Sequence, residues 1–155
     1  MILVLVGTNP YCFERLVRAV DLYAEQSGED LFVQLGHTAY IPRYASHRRF
    51  LEKSAVHEKI LQSELVITQG GFGSIADCLR AGKKVVAVPR KPELNEAPDC
   101  QEELVRELER LGLVTGVYDI ADLPRAINEA RTRDIAIKHC NRIAEIISGF
   151  IEDNI

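Results

Sequence analysis

The stretch Glu64–Pro89 reads ELVITQGGFGSIADCLRAGKKVVAVP and decides the fold. It begins with the apolar run Leu65–Thr68 and continues through the glycine-rich loop Gln69–Gly73 to a helix that Ser74 is predicted to open. A glycine ends this helix, and a second apolar run, Val85–Val88, completes the stretch. The pattern therefore predicts a strand, a loop, a helix and a second strand.

A glycine-rich loop that runs into the start of a helix is suited to binding a phosphate group. The first N–H groups of a helix have no partner inside the helix, and the helix dipole places partial positive charge at the same end. Glycines in the loop allow positive φ angles and let a ligand approach the main chain closely. We therefore expect a nucleotide-type ligand at this loop.

Length and composition predict one folded domain, residues 1–155. Of the 155 residues 46% are hydrophobic, which is enough for a core without disulfides or metals. The net charge of −4 argues against nucleic-acid binding, which usually needs a basic face. The four cysteines show no C-x-x-C spacing, which predicts reduced thiols in the cytoplasm. The apolar run 2–6 is too short for a signal peptide or a membrane span, so we expect the domain to start there with a buried strand.

Apolar runs of strand length alternate with segments of helical periodicity along the whole chain. Ser54 and Asp99 are predicted to cap two of the helices. This alternation predicts an α/β fold, a Rossmann-like and mostly parallel sheet with helices on both faces. Strands are predicted at 2–6, 31–35, 65–68, 85–88 and 113–118, and helices at 11–26, 54–62, 74–81, 101–111, 123–130 and 134–150. Such sheets bind ligands beyond the carboxyl ends of their strands, where the loops Gly7–Pro10, Gln69–Gly73 and Arg90–Pro98 are expected.

The segment Gly71–Ala76 also matches G-x-G-x-x-A, the dinucleotide-binding fingerprint. That fingerprint normally follows the first strand, whereas here it follows a central one, and the next strand ends in Arg90 and Lys91 rather than in an acid. An NADP-binding module resting on Arg90 and Lys91 stays open as an alternative, as does a purely structural role for the glycines. No P-loop motif is present and no His has metal-ligand spacing, so neither a metal nor a cofactor is expected.

Together and in this order, the loops resemble the C-terminal, donor-binding domain of family 28 glycosyltransferases. The resemblance runs from Val4–Thr8 through Val33–Gly36 to Leu113, and it is most specific in ELVITQGGFGSIADCLRAGKKVVAVPR and in the following DCQEEL. The family includes the small catalytic subunits of two-chain enzymes that build dolichol-linked sugars or bacterial exopolysaccharides. The chain length and the Pro89–Arg90 loop look most like the exopolysaccharide type.

The resemblance implies a UDP-sugar as the donor substrate and gives roles to individual residues. Gly7 and Thr8 would lie near the donor phosphates, and Asp77 would bind the ribose hydroxyls. Gln101 and Glu103 would read the hydroxyls of the sugar. The remaining residues expected to bind the donor are Gly71, Gly73 and Ser74, which would form the second phosphate-facing loop, and Arg90.

Three residues depart from the pattern of the family. Gln69 stands where the family usually has a His, Asp77 replaces its usual Glu, and Cys100 replaces the His that usually precedes Gln101. Asp77 can still accept hydrogen bonds from a ribose diol, from one methylene further back. The loss of both histidines leaves open the alternative of a non-catalytic nucleotide-sugar-binding or regulatory subunit.

The resemblance also implies half of an enzyme. The active site of the family lies between the two Rossmann-like domains of a GT-B architecture, and this chain has the length of one. We expect a donor-binding subunit that transfers a hexose to a lipid-linked acceptor, with the catalytic base on a membrane-associated acceptor-binding subunit. The chain would be cytoplasmic and recruited to the membrane by that subunit. The apolar stripe of the predicted helix 134–150 is a candidate contact with a partner, and a homo-oligomer stays open.

Overall fold

The computed structural model describes residues 1–133 together with 145, 148 and 149. The strands in this part of the chain are β1 (Ile2–Leu5), β2 (Leu31–Gln34), β3 (Ser46–Arg48), β4 (Leu65–Gln69), β5 (Lys84–Val88) and β6 (Thr115–Gly116). The α-helices are α1 (Glu14–Ser27), α2 (Lys53–Gln62), α3 (Phe72–Arg80), α4 (Glu102–Arg110) and α5 (Leu123–Thr132). Short 3-10 helices lie at Pro92–Leu94 and Ile120–Asp122.

The strands form a single parallel sheet in the order β3-β2-β1-β4-β5-β6. This is the strand order of the doubly wound dinucleotide-binding fold, in which the direction of winding reverses between β1 and β4. Crevices for ligands form at that reversal because the loops leaving the two strands run to opposite faces of the sheet.

The continuous apolar character of β1 follows from burial on both faces of the sheet. Ile2 and Val4 pack in one core cluster, which includes the buried residues of α1 and α5. Leu3 and Leu5 point the other way, into a second cluster with buried residues of α2, α3 and α4. The predicted fold class, a Rossmann-like parallel sheet with helices on both faces, is confirmed.

The structure corrects several predicted boundaries. The edge strand β3 was not predicted, because its three residues are polar and all exposed, so they carry no apolar pattern. Helix α2 begins at Lys53, which places Ser54 inside the helix rather than at its cap. Helix α3 begins at Phe72, two residues before the predicted Ser74. Gln101, and not Asp99, is the N-cap residue of α4.

Two observations concern the chain as a whole. The predicted helix 134–150, with its apolar stripe, lies almost entirely outside the described residues. Among the residues that are described, no helix is long and apolar enough to cross a membrane.

Candidate functional site

An open cleft of about 450 Å³ lies at the carboxyl ends of β1 and β4, where the winding of the sheet reverses. Both predicted phosphate loops line this cleft. Their residues there are Gly7, Thr8, Asn9, Gln69, Gly71, Gly73 and Ser74, and Leu5, Gln34, Leu51 and Val56 complete the walls. The fold therefore brings together two loops that lie about 60 residues apart in sequence.

Helix α3 presents its positive end at the wall of the cleft. Its N-cap residue is Gly71, with φ −76° and ψ 137°, and no side chain caps the first turn. The first N–H groups of the helix are therefore left for water or a ligand. Together with the helix dipole, they make this wall attractive to an anion.

Two glycines of the cleft have opposite surroundings. Gly7 adopts φ +86°, and a Cβ atom there would lie 2.2 Å from Nε2 of Gln69. Gly7 is therefore required by the fold itself. Gly73 is exposed, has no positive φ, and a Cβ atom there would have no atom within 4 Å. Nothing in the described protein needs a glycine at position 73, so the open space beside it is available to a ligand.

The first of the two predicted phosphate loops, Gly7–Pro10, is held by Gln34, a residue that sequence reasoning missed. Its Oε1 accepts a hydrogen bond from Gly7 N at 2.9 Å, and its Nε2 donates to Gly7 O at 3.1 Å and to Arg49 O at 2.9 Å. A buried Gln at the end of an apolar strand was the only signal in the sequence. The bonds to both the N–H and the C=O group of Gly7 hold this loop in place.

Arg90 is not placed to bind the donor, which corrects the expectation from the sequence. Its side chain is only 1% exposed and lies over the ring of Phe13, with Cζ 4.8 Å from the ring centre. Burial lowers the pKa of Arg90 to about 10, against the opposing effect of Glu96, so the guanidinium stays charged at neutral pH. Its nitrogens donate to Gln69 Oε1 (2.5 Å), Val6 O (2.7 Å), Glu96 O (2.8 Å), Tyr11 O (3.0 Å) and Cys12 O (3.5 Å).

The predicted third loop, Arg90–Pro98, contributes no residue to the walls of the cleft. Glu96 is buried, pairs with Arg15 Nε at 2.8 Å and accepts from Lys91 N at 3.0 Å. These bonds close the loop on itself and on α1. The NADP alternative rested on Arg90 and Lys91, and the burial of Arg90 removes its main support.

The residues expected to bind the ribose and the sugar lie outside the walls of the cleft. Asp77 is exposed on α3, four residues after Gly73 and thus on the same side of the helix, and pairs with Arg80 at 3.3 Å. Oε1 of Gln101 accepts from Arg90 N at 2.9 Å. Glu103 is exposed on α4 and lines a shallow groove with Cys100.

The cysteines divide by environment. Cys78 is fully buried, and burial raises the pKa of its thiol to about 12, so it acts as a small core residue. Cys12 and Cys100 are exposed, and Cys12 Sγ lies 3.3 Å from His37 O.

Three solved glycosyltransferases are similar in structure to this chain. SnogD from Streptomyces nogalater aligns with TM-score 0.59 and 14% identity, over 95% of this chain and 39% of its own. The glycosyltransferase of kitacinnamycin aligns with TM-score 0.59 and 20% identity, over 96% of this chain and 40% of its own. CalG4, the calicheamicin glycosyltransferase, aligns with TM-score 0.63 and 19% identity, over 96% and 38%. At such identities the likeness shows the fold, and the chain spans about two fifths of each of these proteins.

Comparison at the level of sequence gives two results. No curated protein is significantly similar in sequence to this chain. The sequence profile described as the glycosyltransferase family 28 C-terminal domain matches residues 1–142, which is most of the 155-residue chain. The chain therefore belongs to the glycosyltransferase family 28 C-terminal domain family.

Proposed function

We propose that this chain binds the UDP-sugar donor of a hexosyltransferase in the cleft between β1 and β4. One observation carries the proposal: Gly73 sits at the uncapped start of α3, and the space beside it is empty within 4 Å. Neither packing nor backbone conformation explains a glycine there. Close approach of a phosphate to the first turn of a helix does explain it.

The donor would extend from the cleft along α3 and towards α4. Its diphosphate would lie between the loop of Gly7 and Thr8 and the loop of Gly71, Gly73 and Ser74. The ribose hydroxyls would reach Asp77, one turn along α3. Because the oxygen of the Gln101 amide already accepts from the main chain, its NH₂ group would be the part that reads the sugar, together with Glu103.

The chemistry asked of this half of the enzyme is stabilisation of a leaving group. Transfer breaks the bond between the anomeric carbon and the diphosphate oxygen, and negative charge develops on the departing UDP. Helix N–H groups and the positive end of the α3 dipole would stabilise that charge, so we expect no protein-bound metal to be needed.

The acceptor half would come from a separate, membrane-associated chain that binds a lipid-linked acceptor and supplies the catalytic base. The support is the resemblance of this sequence to the small catalytic subunits of two-chain enzymes in this family. The purified chain should then bind donor and transfer no sugar, since a missing base alone typically costs ~10²–10⁴-fold in rate. Co-expression with the acceptor-binding subunit should restore transfer. Robust transfer by this chain alone would contradict the half-enzyme arrangement.

The donor site is tested by side chains of increasing size at position 73. Gly73→Ala should lower UDP affinity, and Gly73→Val should lower it more. For valine we expect a loss of tenfold or more, which corresponds to at least about 1.4 kcal/mol of binding free energy. Because the position is open, the circular dichroism spectrum should not change and the melting temperature should not fall. UDP affinity is measured by calorimetry. Unchanged UDP affinity in a folded Gly73→Val variant would mean that this loop is not the phosphate site.

A second candidate function is a non-catalytic subunit that senses a nucleotide sugar. It is favoured by Gln69, a neutral side chain in the cleft at the position where a His is usual. Donor binding is common to both functions. Sugar transfer after co-expression with the acceptor-binding subunit separates them, because a sensor would bind the donor and leave it intact.

A further inference from the structure

The side chain of Gln69 has a fixed orientation at the end of β4. It is 8% exposed and lines the cleft. The nearest polar group on one side is Nε of Arg90, 2.5 Å from Oε1 of Gln69. A guanidinium can only donate hydrogen bonds, so the amide atom that faces it must be the oxygen. The NH₂ group is thereby turned away from Arg90.

The NH₂ group of Gln69 lies between the two phosphate loops. Its nitrogen is 2.2 Å from where a Cβ atom of Gly7 would be and 3.0 Å from where one of Gly71 would be. No hydrogen bond from this nitrogen is present among the described residues. The residue as a whole is nine-tenths buried, and its NH₂ group has no protein acceptor at the open cleft, so water or a bound ligand must accept its hydrogen bonds. The uncapped start of α3 faces the same cleft and independently favours an anion.

We propose that Nε2 of Gln69 donates a hydrogen bond to the diphosphate of the bound ligand, and that Arg90 is the positioning residue that holds the amide in this orientation without touching the ligand. This inference rests on the proposed function for the place of the donor. An amide is neutral at every pH that the protein tolerates. The contact is therefore independent of pH, whereas an imidazole with an ordinary pKa of about 6.5 would change its charge within the physiological range.

The surroundings of Arg90 explain why the orientation holds. Its other nitrogens are bonded to main-chain oxygens of Val6, Tyr11 and Glu96, so the guanidinium cannot move to follow the amide. If the amide of Gln69 turned over, its NH₂ group would face a guanidinium that also only donates. The cost of two buried donors in contact selects one orientation and leaves the NH₂ group aimed at the cleft.

The first test is Gln69→Glu in the full chain, assayed by calorimetry with UDP, ADP, inorganic pyrophosphate and uridine. The variant keeps an oxygen for Arg90 and replaces the NH₂ group with a second, negatively charged oxygen. UDP and pyrophosphate affinity should fall at least tenfold, uridine affinity should not change, and the melting temperature should be kept. Gln26→Glu is the matched control, because it adds the same charge at an exposed position near the C-terminal end of α1.

The second test is Gln69→His, measured between about pH 6 and pH 8. The ratio of the variant and wild-type dissociation constants for UDP at each pH cancels the ionisation of UDP itself. The variant should bind relatively more tightly as the pH falls, because the imidazole becomes a cation. Arg90→Lys tests the positioning: it keeps a cation and removes Nε, so UDP affinity should fall while uridine affinity stays.

The outcomes distinguish failure of the Gln69 contact from failure of the proposal that the donor is a UDP-sugar. Suppose that the wild-type chain binds pyrophosphate, ADP and UDP equally well and that Gln69→Glu loses all three. This result would support the amide contact and contradict a UDP-sugar donor. Wild-type affinity for UDP and pyrophosphate in folded Gln69→Glu, or a pH-independent ratio for Gln69→His, would overturn the contact. Binding of no diphosphate by the wild-type chain would overturn it too. Unchanged UDP affinity in folded Arg90→Lys would overturn the positioning role.

Discussion

A pair of glycine substitutions tests how closely the Gln69 side chain packs against Gly7. Gly7 and Gly28 both have positive φ angles, of +86° and +68°. A Cβ atom at position 28 would meet nothing within 4 Å, whereas at position 7 it would lie 2.2 Å from Nε2 of Gln69. Alanine at either position therefore strains the backbone, and only Gly7→Ala adds a clash.

The strain of an alanine in the left-handed region is about 1–2 kcal/mol, which is the whole expected loss for Gly28→Ala. At position 7 the Gln69 side chain must also move, and its hydrogen bond to the Arg90 cation is broken. A hydrogen bond to a charged group contributes about 1.5–3 kcal/mol. We therefore expect Gly7→Ala to lose about 2.5–5 kcal/mol of unfolding free energy in total.

The assay is equilibrium unfolding in urea at 25 °C, with the slope of each transition compared to detect changes in the exposed surface. A double variant, Gly7→Ala with Gln69→Ala, removes the Gln69 amide with which the new Cβ atom would clash. It should lose less than the sum of the two single losses, by roughly 1 kcal/mol or more. Equal losses in Gly7→Ala and Gly28→Ala, or strict additivity in the double variant, would refute the reasoning.

Two further predictions concern a buried carboxylate and the donor roles. Asp21 is 3% exposed, and burial by itself raises the pKa of its carboxyl group. Hydrogen bonds from Arg43 N, Tyr44 N and Tyr40 Oη outweigh this effect, so the net pKa lies below the ordinary 3.8. The contribution of Asp21 to stability is complete above the ordinary pKa and is lost as the pH falls through the lower folded pKa. Asp21→Asn should therefore reduce the free energy of unfolding by about 2–3 kcal/mol at neutral pH. On acidification the variant should lose less stability than the wild type does, which urea midpoints at several pH values will measure. Asp77→Ala should weaken UDP and UDP-sugar alike by about 1–3 kcal/mol in calorimetry, whereas Gln101→Ala should weaken only the UDP-sugar. Equal weakening of both ligands by Gln101→Ala would refute its assignment to the sugar.

The central part of the fold could be predicted because its strands are buried on both faces. Leu65–Thr68 and Val85–Val88 are continuous apolar runs, and the glycines between them mark the turn and the start of the helix. Strand β3 could not be predicted, since an exposed edge strand of three polar residues needs no apolar pattern. Its place in the sheet comes from pairing with β2 alone.

The roles of individual polar residues in the site depend on contacts that are distant in sequence. Arg90 follows a strand and precedes a proline-rich loop, which in sequence is typical of an exposed cation. Its burial depends on Val6 O, 84 residues away, and on other main-chain oxygens that local patterns do not encode. For the same reason Gln34 was missed as a residue of the cleft, and the bond between Gln69 and Arg90 could not be predicted. The glycines that line the cleft could be named from the sequence because the pattern that marks them, a strand followed by a glycine-rich loop and a helix, is local.

The hydrogen bonds of Arg90 also determine which changes the surrounding loops can tolerate. Four of its acceptors are main-chain oxygens, those of residues 6, 11, 12 and 96, and every amino acid provides such an oxygen. Side chains at these positions can therefore be exchanged without removing an acceptor. The number of residues in each loop cannot change so freely, because one inserted residue would shift the oxygens away from a cation that has no water to replace them. The exposed positions of these loops should accept substitutions and reject insertions, whereas Val6 and Glu96 are buried and should accept neither, although surface loops generally accept both.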